Sequence, residues 1–279
     1  MELGVSTGAS IEAGPRTPRT GAQQRMITEH ILGLADGSGF RAALIDAADG
    51  TVTSWPLFVH TVRSAARGLG RRGLRDTDTV GILVQDAASH VLAVHAVRAA
   101  GAIACPVHPA ATAADIAAQL KACQARLLIT SATLAELAIQ AAERSWVRQV
   151  FAFGEAAGTT PFSSLLEAAK HGQLHHNGRT RTVPGSVSTP IPDLAALRPA
   201  DGPELLLTRR DVVVAGPPCG EGDAYPSLLD LVLIAGATIV AAPLPQIAAA
   251  LQAYKGTAAI VPRGTHVSGV PADRIFTLA

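Results

Sequence analysis

The chain has 279 residues, and 23 Lys+Arg against 22 Asp+Glu leave a formal net charge of +1. Charged residues make up 16 % and the hydrophobic class 48 %, enough to bury a large core, which excludes a disordered chain and a generally basic nucleic-acid binder. Three cysteines, Cys105, Cys123 and Cys219, form neither a CxxC pair nor a ladder; this excludes a disulfide scaffold and fits a reducing, cytoplasmic compartment.

Residues 1–25 are dominated by Ser, Thr, Gly, Pro and Arg with no apolar run, so they read as a disordered tail and not as a secretory signal. No stretch reaches eighteen uncharged apolar residues, so no membrane span is expected. From Met26, ITEHILGLA reads as a short helix. AALIDA, Ala42 to Ala47, reads as a strand, and Asp49-Gly50 supplies a turn. Ser54 before Trp55-Pro56 is an N-cap with an early helical proline. The helix that follows carries Phe58, Val59, Val62, Ala65, Ala66 and Leu69 on one stripe and stops at Gly73.

Val80 to Val84 is a continuous apolar run, as in a strand covered on both faces. Ser89 to Ala100 reads as a helix closed by Gly101, and AIACPV as a strand. Thr112 to Asp115 resembles a capping box with Asp in place of Glu and opens the helix DIAAQLKACQA. RLLIT, a helix over Leu134 to Ser145, and VRQVFAF complete the alternation. Strands and helices exchanging over short connections predict an α/β fold with parallel or mixed sheets flanked by helices. Residues 26–170 read as a first α/β subdomain, 171–192 as a linker or long loop, and 193–279 as a partial second α/β subdomain. In this last part ELLLT, DVVVAG, ATIVAAP and AAIVP are buried-strand candidates.

The segment from about Ala42 to Thr130 resembles the opening of the adenylate-forming superfamily, which includes acyl- and aryl-CoA ligases. Three pieces carry the likeness: GLGRRGLRDTDTVGILV, RAAGAIACPVHP and QLKACQARLLIT. Beyond the linker, Asp193-Leu194-Ala195 is similar to the entry of that family's phosphate loop. Leu207 to Asp211 is similar to the segment after it, and Leu233 to Val240 to a later strand entry. The resemblance implies the N-terminal part of a ligase. Such an enzyme activates a carboxylic acid with ATP and Mg and passes the acyl group to a thiol such as coenzyme A.

The residues depart from this pattern where the chemistry sits. A phosphate loop needs glycines for close backbone approach, hydroxyls as donors and a lysine for charge. Ala196 to Leu206, ALRPADGPELL, has one glycine, no Ser, Thr or Lys, and two carboxylates. Arg198, Asp201, Gly202 and Glu204 therefore mark a degenerate phosphate-loop position. In GPPCGEGDAY, Glu221 stands near the place of the family's acyl-pocket histidine; Glu221, Tyr225 and Gly236 are the candidate substrate-pocket residues. The family's adenine and ribose segments and its catalytic lysine fall after Ala279, so no catalytic or metal residue is carried over. ATP, Mg and CoA are expected only with retained activity.

The first reading is a truncated, noncatalytic ligase-like protein that binds a protein partner or an acyl- or nucleotide-like ligand. Half of a split acid–CoA ligase completed by another chain is one alternative. A regulatory or structural subunit of an intact ligase, or an oligomer, is the other. His90 and His95, five apart on one helix, read as one exposed and one half-buried histidine, and Arg71, Arg72 and Arg75 as a solvated helix end. Cys219 has no indicated catalytic partner and reads as a free thiol.

Overall fold

The computed structural model describes residues 21–167, 207–218, 224–271 and 274–278. Helix α1 spans Gly21–Gly33 and so begins inside the expected tail. Strands β1 (Ala42–Asp46) and β2 (Val52–Ser54) form an antiparallel hairpin around Asp49-Gly50, where Asp49 Oδ1 accepts the Thr51 N–H at 2.8 Å. Helix α2 (Trp55–Arg71) starts where Ser54 Oγ accepts the Leu57 N–H at 3.4 Å, as its sequence predicts.

The chain then alternates through β3 (Thr79–Leu83), α3 (Ala87–Ala99), β4 (Ile103–Pro106), α4 (Ala113–Ala122), β5 (Leu127–Ser131), α5 (Ala135–Glu143), β6 (Gln149–Phe153) and β7 (Thr160–Pro161). The Thr112 cap is reciprocal: its Oγ1 accepts the Asp115 N–H at 3.2 Å and donates to Asp115 Oδ2 at 2.6 Å. Helix α3 is capped by Asp86, which the sequence reading passed over; its Oδ1 accepts the Ser89 N–H at 2.6 Å. The later part holds β8 (Val212–Ala215), α6 (Ala224–Ile234), β9 (Thr238–Ala241), α7 (Ile247–Ala253), β10 (Ala258–Pro262) and β11 (Ile275–Leu278). Of the strand expected at ELLLT, only Leu207 and Thr208 are described, and they lie in an irregular lead into β8.

Two sheets result. One is five-stranded and parallel, in the order β4-β3-β5-β6-β7; the other is six-stranded, β11-β10-β8-β9-β1-β2, and parallel except for β1–β2. Side-chain alternation gives each sheet two apolar faces. In the six-stranded sheet Val213, Ala215, Ile239, Ala241 and Ile260 enter one core with α1, α2, α3 and α6, while Val214, Val240, Ala259 and Val261 face α7. In the five-stranded sheet Val80, Ile82, Ile129 and Phe151 meet α2 and α3, while Leu83, Leu128 and Val150 face α4 and α5. The molecule is therefore layered helix–sheet–helix–sheet–helix, with α2 and α3 shared by both cores.

The sheets do not follow the division at 171–192. Strand β1 pairs with β9 in parallel, Leu44 beside Ile239 and Ile45 beside Val240, so residues from the start of the chain complete the later sheet. Adjacent parallel strands need not be consecutive, and a pattern of elements carries no information about which sheet a strand joins.

The shared position of α3 also overturns the expectation for its histidines. No residue of α3 is exposed, and His90 and His95 are both buried, at 3 % and 1 % exposure. Arg71 and Arg72 are not simply solvated either. Arg71 Nη2 donates to the carbonyls of Leu165 (3.3 Å) and Glu167 (2.6 Å), and the Arg72 guanidinium lies 5.3 Å from the Phe151 ring centre. They hold the short helical turn Phe162–Leu165 against α2.

Candidate functional site

In parallel sheets, ligands settle at the carboxyl ends of the strands. At that edge of the six-stranded sheet Gly216 follows the last residue of β8, and Tyr225, in the first turn of α6, donates its hydroxyl to the Gly216 carbonyl at 2.6 Å. The Tyr225 ring meets His90 of α3 edge to face, with centres 5.3 Å apart. Burial pushes the His90 imidazole down to about 3, and Arg98 adds to this against the opposing pull of Asp230, so the ring is neutral at ordinary pH. Its Nε2 is buried and finds no hydrogen-bond partner among the described residues. At the start of α3 burial raises the Asp86 carboxyl, the cap from Ser89 works against it, and the charge of Asp46 at the end of β1 raises it further. Both rings are buried, at 3 % exposure each, so neutral aromatic packing backs this edge, with the carboxylates of Asp46 and Asp86 beside it.

Beneath these rings lies a buried polar network. Arg98 Nη1 reaches both carboxylate oxygens of Asp230, at 3.0 and 2.9 Å, with both side chains 2 % exposed. His95 Nε2 stands 3.5 Å from Asp230 Oδ1, and its Nδ1 lies 2.9 Å from Thr28 Oγ1. In the tautomer that donates from Nε2 toward Asp230, Nδ1 accepts the Thr28 hydroxyl. Burial, then Arg98, holds His95 well below its usual range. Sequence reasoning missed this network, although a signal was present: Arg98 is the one charged residue of α3 and Asp230 the one charged residue of α6.

Of the sequence-derived candidates, Arg198, Asp201, Gly202, Glu204 and Glu221 lie outside the described residues, as does Cys219. Tyr225 and Gly236 are described and are not brought together. They flank the two ends of the eleven-residue α6, about 16 Å apart along its axis. Gly236 turns the chain into β9 at φ +69°, a left-handed conformation, and its carbonyl accepts Arg41 Nη2 at 2.8 Å; Arg41 also donates to the Arg209 carbonyl. This is turn geometry at the amino end of the sheet, away from Tyr225.

Asp211 organises that same end. Burial would raise its carboxyl, but hydrogen bonds from the Thr257 hydroxyl, the Thr208 N–H and hydroxyl, and Arg274 outweigh it and lower it. Among the described residues no group of three or more His, Cys, Asp or Glu is placed to hold a metal ion, and no helix is long and apolar enough to cross a membrane.

Residues 35–196 match the AMP-binding enzyme family. The chain is 28 % identical over 131 residues to 4-coumarate–CoA ligase 2 of Solanum tuberosum, a match covering 47 % of this chain and 24 % of the relative. With 4-coumarate–CoA ligase 4 of Arabidopsis thaliana it shares 29 % identity over 110 residues, covering 39 % of this chain and 19 % of the relative. Among solved structures, a benzoate CoA ligase from Burkholderia xenovorans superposes with a TM-score of 0.65 at 18 % identity over 85 % of this chain and 50 % of the other. A long-chain-fatty-acid-CoA ligase from Archaeoglobus fulgidus gives 0.64 at 18 % identity over 85 % and 51 %. The chain thus spans about a quarter of the curated relatives it matches and about half of these solved structures. At these identities the structures establish a shared fold, that of the ligases' N-terminal domain.

Proposed function

The chain belongs to the AMP-binding enzyme family, and from that premise we propose that it is a noncatalytic ligase-like protein whose scaffold binds an acyl- or nucleotide-like ligand or a protein partner without forming an adenylate. One observation carries the reading: the donor set between Ala195 and Leu207. Asp201 and Glu204 bring negative charge to the place of the phosphate loop, and Gly202 is its one glycine. Two like charges about 4 Å apart repel by about 1 kcal/mol in water and about 4 at an intermediate dielectric. Arg198 is one cation against two carboxylates, with no hydroxyl or lysine beside it. This set does not fit a triphosphate.

The described edge is consistent with binding. Tyr225 and His90 pack as neutral, buried rings behind it, with the Tyr225 hydroxyl bonded to the Gly216 carbonyl. The test pairs two measurements. Purified protein incubated with ATP, Mg, coenzyme A and a panel of aryl and fatty acids releases no pyrophosphate above background, while thermal-shift screening with AMP, coenzyme A and acyl-adenylate mimics finds a ligand that raises the melting temperature. Turnover that rises in proportion to enzyme and acid overturns the reading.

A second reading, half of a split acid–CoA ligase, is favoured by the open edge of β11. Phe276 and Leu278 are buried at 3 % and 2 %, yet among the described residues the strand pairs only with β10. Co-purification with a chain that restores pyrophosphate release selects this reading over the first.

A further inference from the structure

We infer that Cys105 and Cys123 form a dithiol site that closes reversibly to an intramolecular disulfide on reaction with a low-molecular-weight disulfide. The sequence separates them by an entire helix, and the fold brings them together. Cys105 follows Ala104, which enters the core toward α2 and α3, so alternation along edge strand β4 turns Cys105 to the opposite face. That face is the one α4 covers. Leu120 of α4 lies over Gly81, the residue paired with Cys105 across the ladder, and Gln119 Nε2 donates to the Pro106 carbonyl at 2.9 Å. Cys123 ends α4 directly above, with Sγ 3.6 Å from the Leu120 carbonyl, and packs against the core beneath.

The Cys105 thiol hydrogen-bonds the Cys123 sulfur, and both residues are partly exposed. This bond is the main cause that lowers the Cys123 thiol to about 7 against the opposing effect of burial, with the Ala125 N–H assisting. A substantial share of Cys123 is then thiolate at neutral pH, with its resolving thiol already in contact.

The chemistry is two thiol–disulfide exchanges. The Cys123 thiolate attacks one sulfur of a disulfide such as oxidised glutathione, forming a mixed disulfide and expelling one glutathione thiolate. Cys105 gives its proton to solvent, attacks the Cys123 sulfur and expels the second. Two protein thiols are oxidised to one disulfide, and one small disulfide is reduced to two thiols. Because both sulfurs are reachable, excess reductant reverses the reaction, as a redox-responsive site in a reducing compartment requires. The inference does not depend on the proposed function.

The experiment incubates the native 279-residue chain with oxidised glutathione, quenches with acid and maps peptides without reduction. A linked peptide pair containing Cys105 and Cys123 is expected, present in Cys219→Ser and removed by dithiothreitol. In Cys105→Ser, Cys123 accumulates as the glutathione adduct because nothing resolves it. In Cys123→Ser, Cys105 is modified about fivefold more slowly, since the thiolate that attacks first is gone. Free thiols or stable glutathione adducts at both positions of the native wild-type chain overturn the inference. So does a link that forms only in denaturant or is lost in Cys219→Ser.

Discussion

Arg98 and Asp230 each bring one charge into an otherwise uncharged helix, and the two neutralise one another at the centre of the middle layer. Such a pair is weak evidence of net stability, because both ions lose their hydration; breaking it is costly, because the survivor stays buried. Asp230→Ala is expected to destabilise the protein by about 3–5 kcal/mol in urea unfolding, whereas Arg98→Met with Asp230→Leu recovers most of that loss. Equal losses in the single and double variants would show that the pair is not the cause. The histidines beside it set a pH dependence. Burial, reinforced by Arg98, holds both below the ordinary histidine range, so as pH falls the unfolded chain takes up protons first. Their contribution is complete above about pH 6.5 and is lost below it at about 1.4 kcal/mol per unit and per histidine. For His90 the loss continues toward its folded value of about 3. His90→Phe keeps a ring against Tyr225 and removes one titration, so the slope of stability between about pH 5 and 6.5 falls by about 1.4 kcal/mol per unit. An unchanged slope in urea midpoints contradicts this.

Element ends were the most legible feature of the sequence, because a cap is a local hydrogen bond. Ser54 and Thr112 cap the helices they were expected to cap, and the apolar stripe of α2 is the buried one. Thr112→Ala removes the acceptor of the Asp115 N–H and is expected to cost about 1 kcal/mol by thermal or urea unfolding. Close approaches between elements are different: nothing beside a glycine in the sequence says what faces it. Gly68 in α2 and Gly81 in β3 look equally replaceable, but a Cβ at Gly68 would collide with the Leu165 backbone, including its Cα at 2.7 Å. At Gly81 it would meet the ends of the Leu120 and Leu128 side chains, which can rotate away. The roughly 1 kcal/mol that alanine adds to a helix does not offset a backbone displacement. Gly68→Ala is therefore expected to lose about 1–3 kcal/mol and Gly81→Ala less, with comparative urea midpoints deciding the order.

At the scale of the whole molecule, periodicity disclosed strands and helices, and the resemblance disclosed the family, but neither disclosed the weave. A run such as AALID records that it is buried on both sides and leaves open whether its neighbour lies 40 or 200 residues away. The His90–Tyr225 contact and the Arg98–Asp230 pair were illegible for the same reason: each joins α3 to α6 across the chain. The candidate positions at Arg198, Asp201, Gly202, Glu204 and Glu221 rest on the sequence, since the described residues do not include them.

The weave has a mechanical consequence. If residues 26–170 and 193–279 were self-contained, cutting between them would release two folded bodies. Here β1 ladders on β9, Thr238 Oγ1 donates to the Ala42 carbonyl at 2.9 Å, and the largest apolar core draws on α1, α2, α3 and α6 together. Separating the pieces exposes that core and strands Arg98 without Asp230, so the cost is that of unfolding and not of undocking. A protease site placed within 171–192 and cut in the native protein should leave both fragments co-eluting in gel filtration, with separation only in denaturant. Expressed alone, residues 193–279 should lack a cooperative unfolding transition, because β9 has lost β1 and the inner face has lost α1, α2 and α3. Fragments that part freely in native buffer and each melt cooperatively would show that the two sheets are independent.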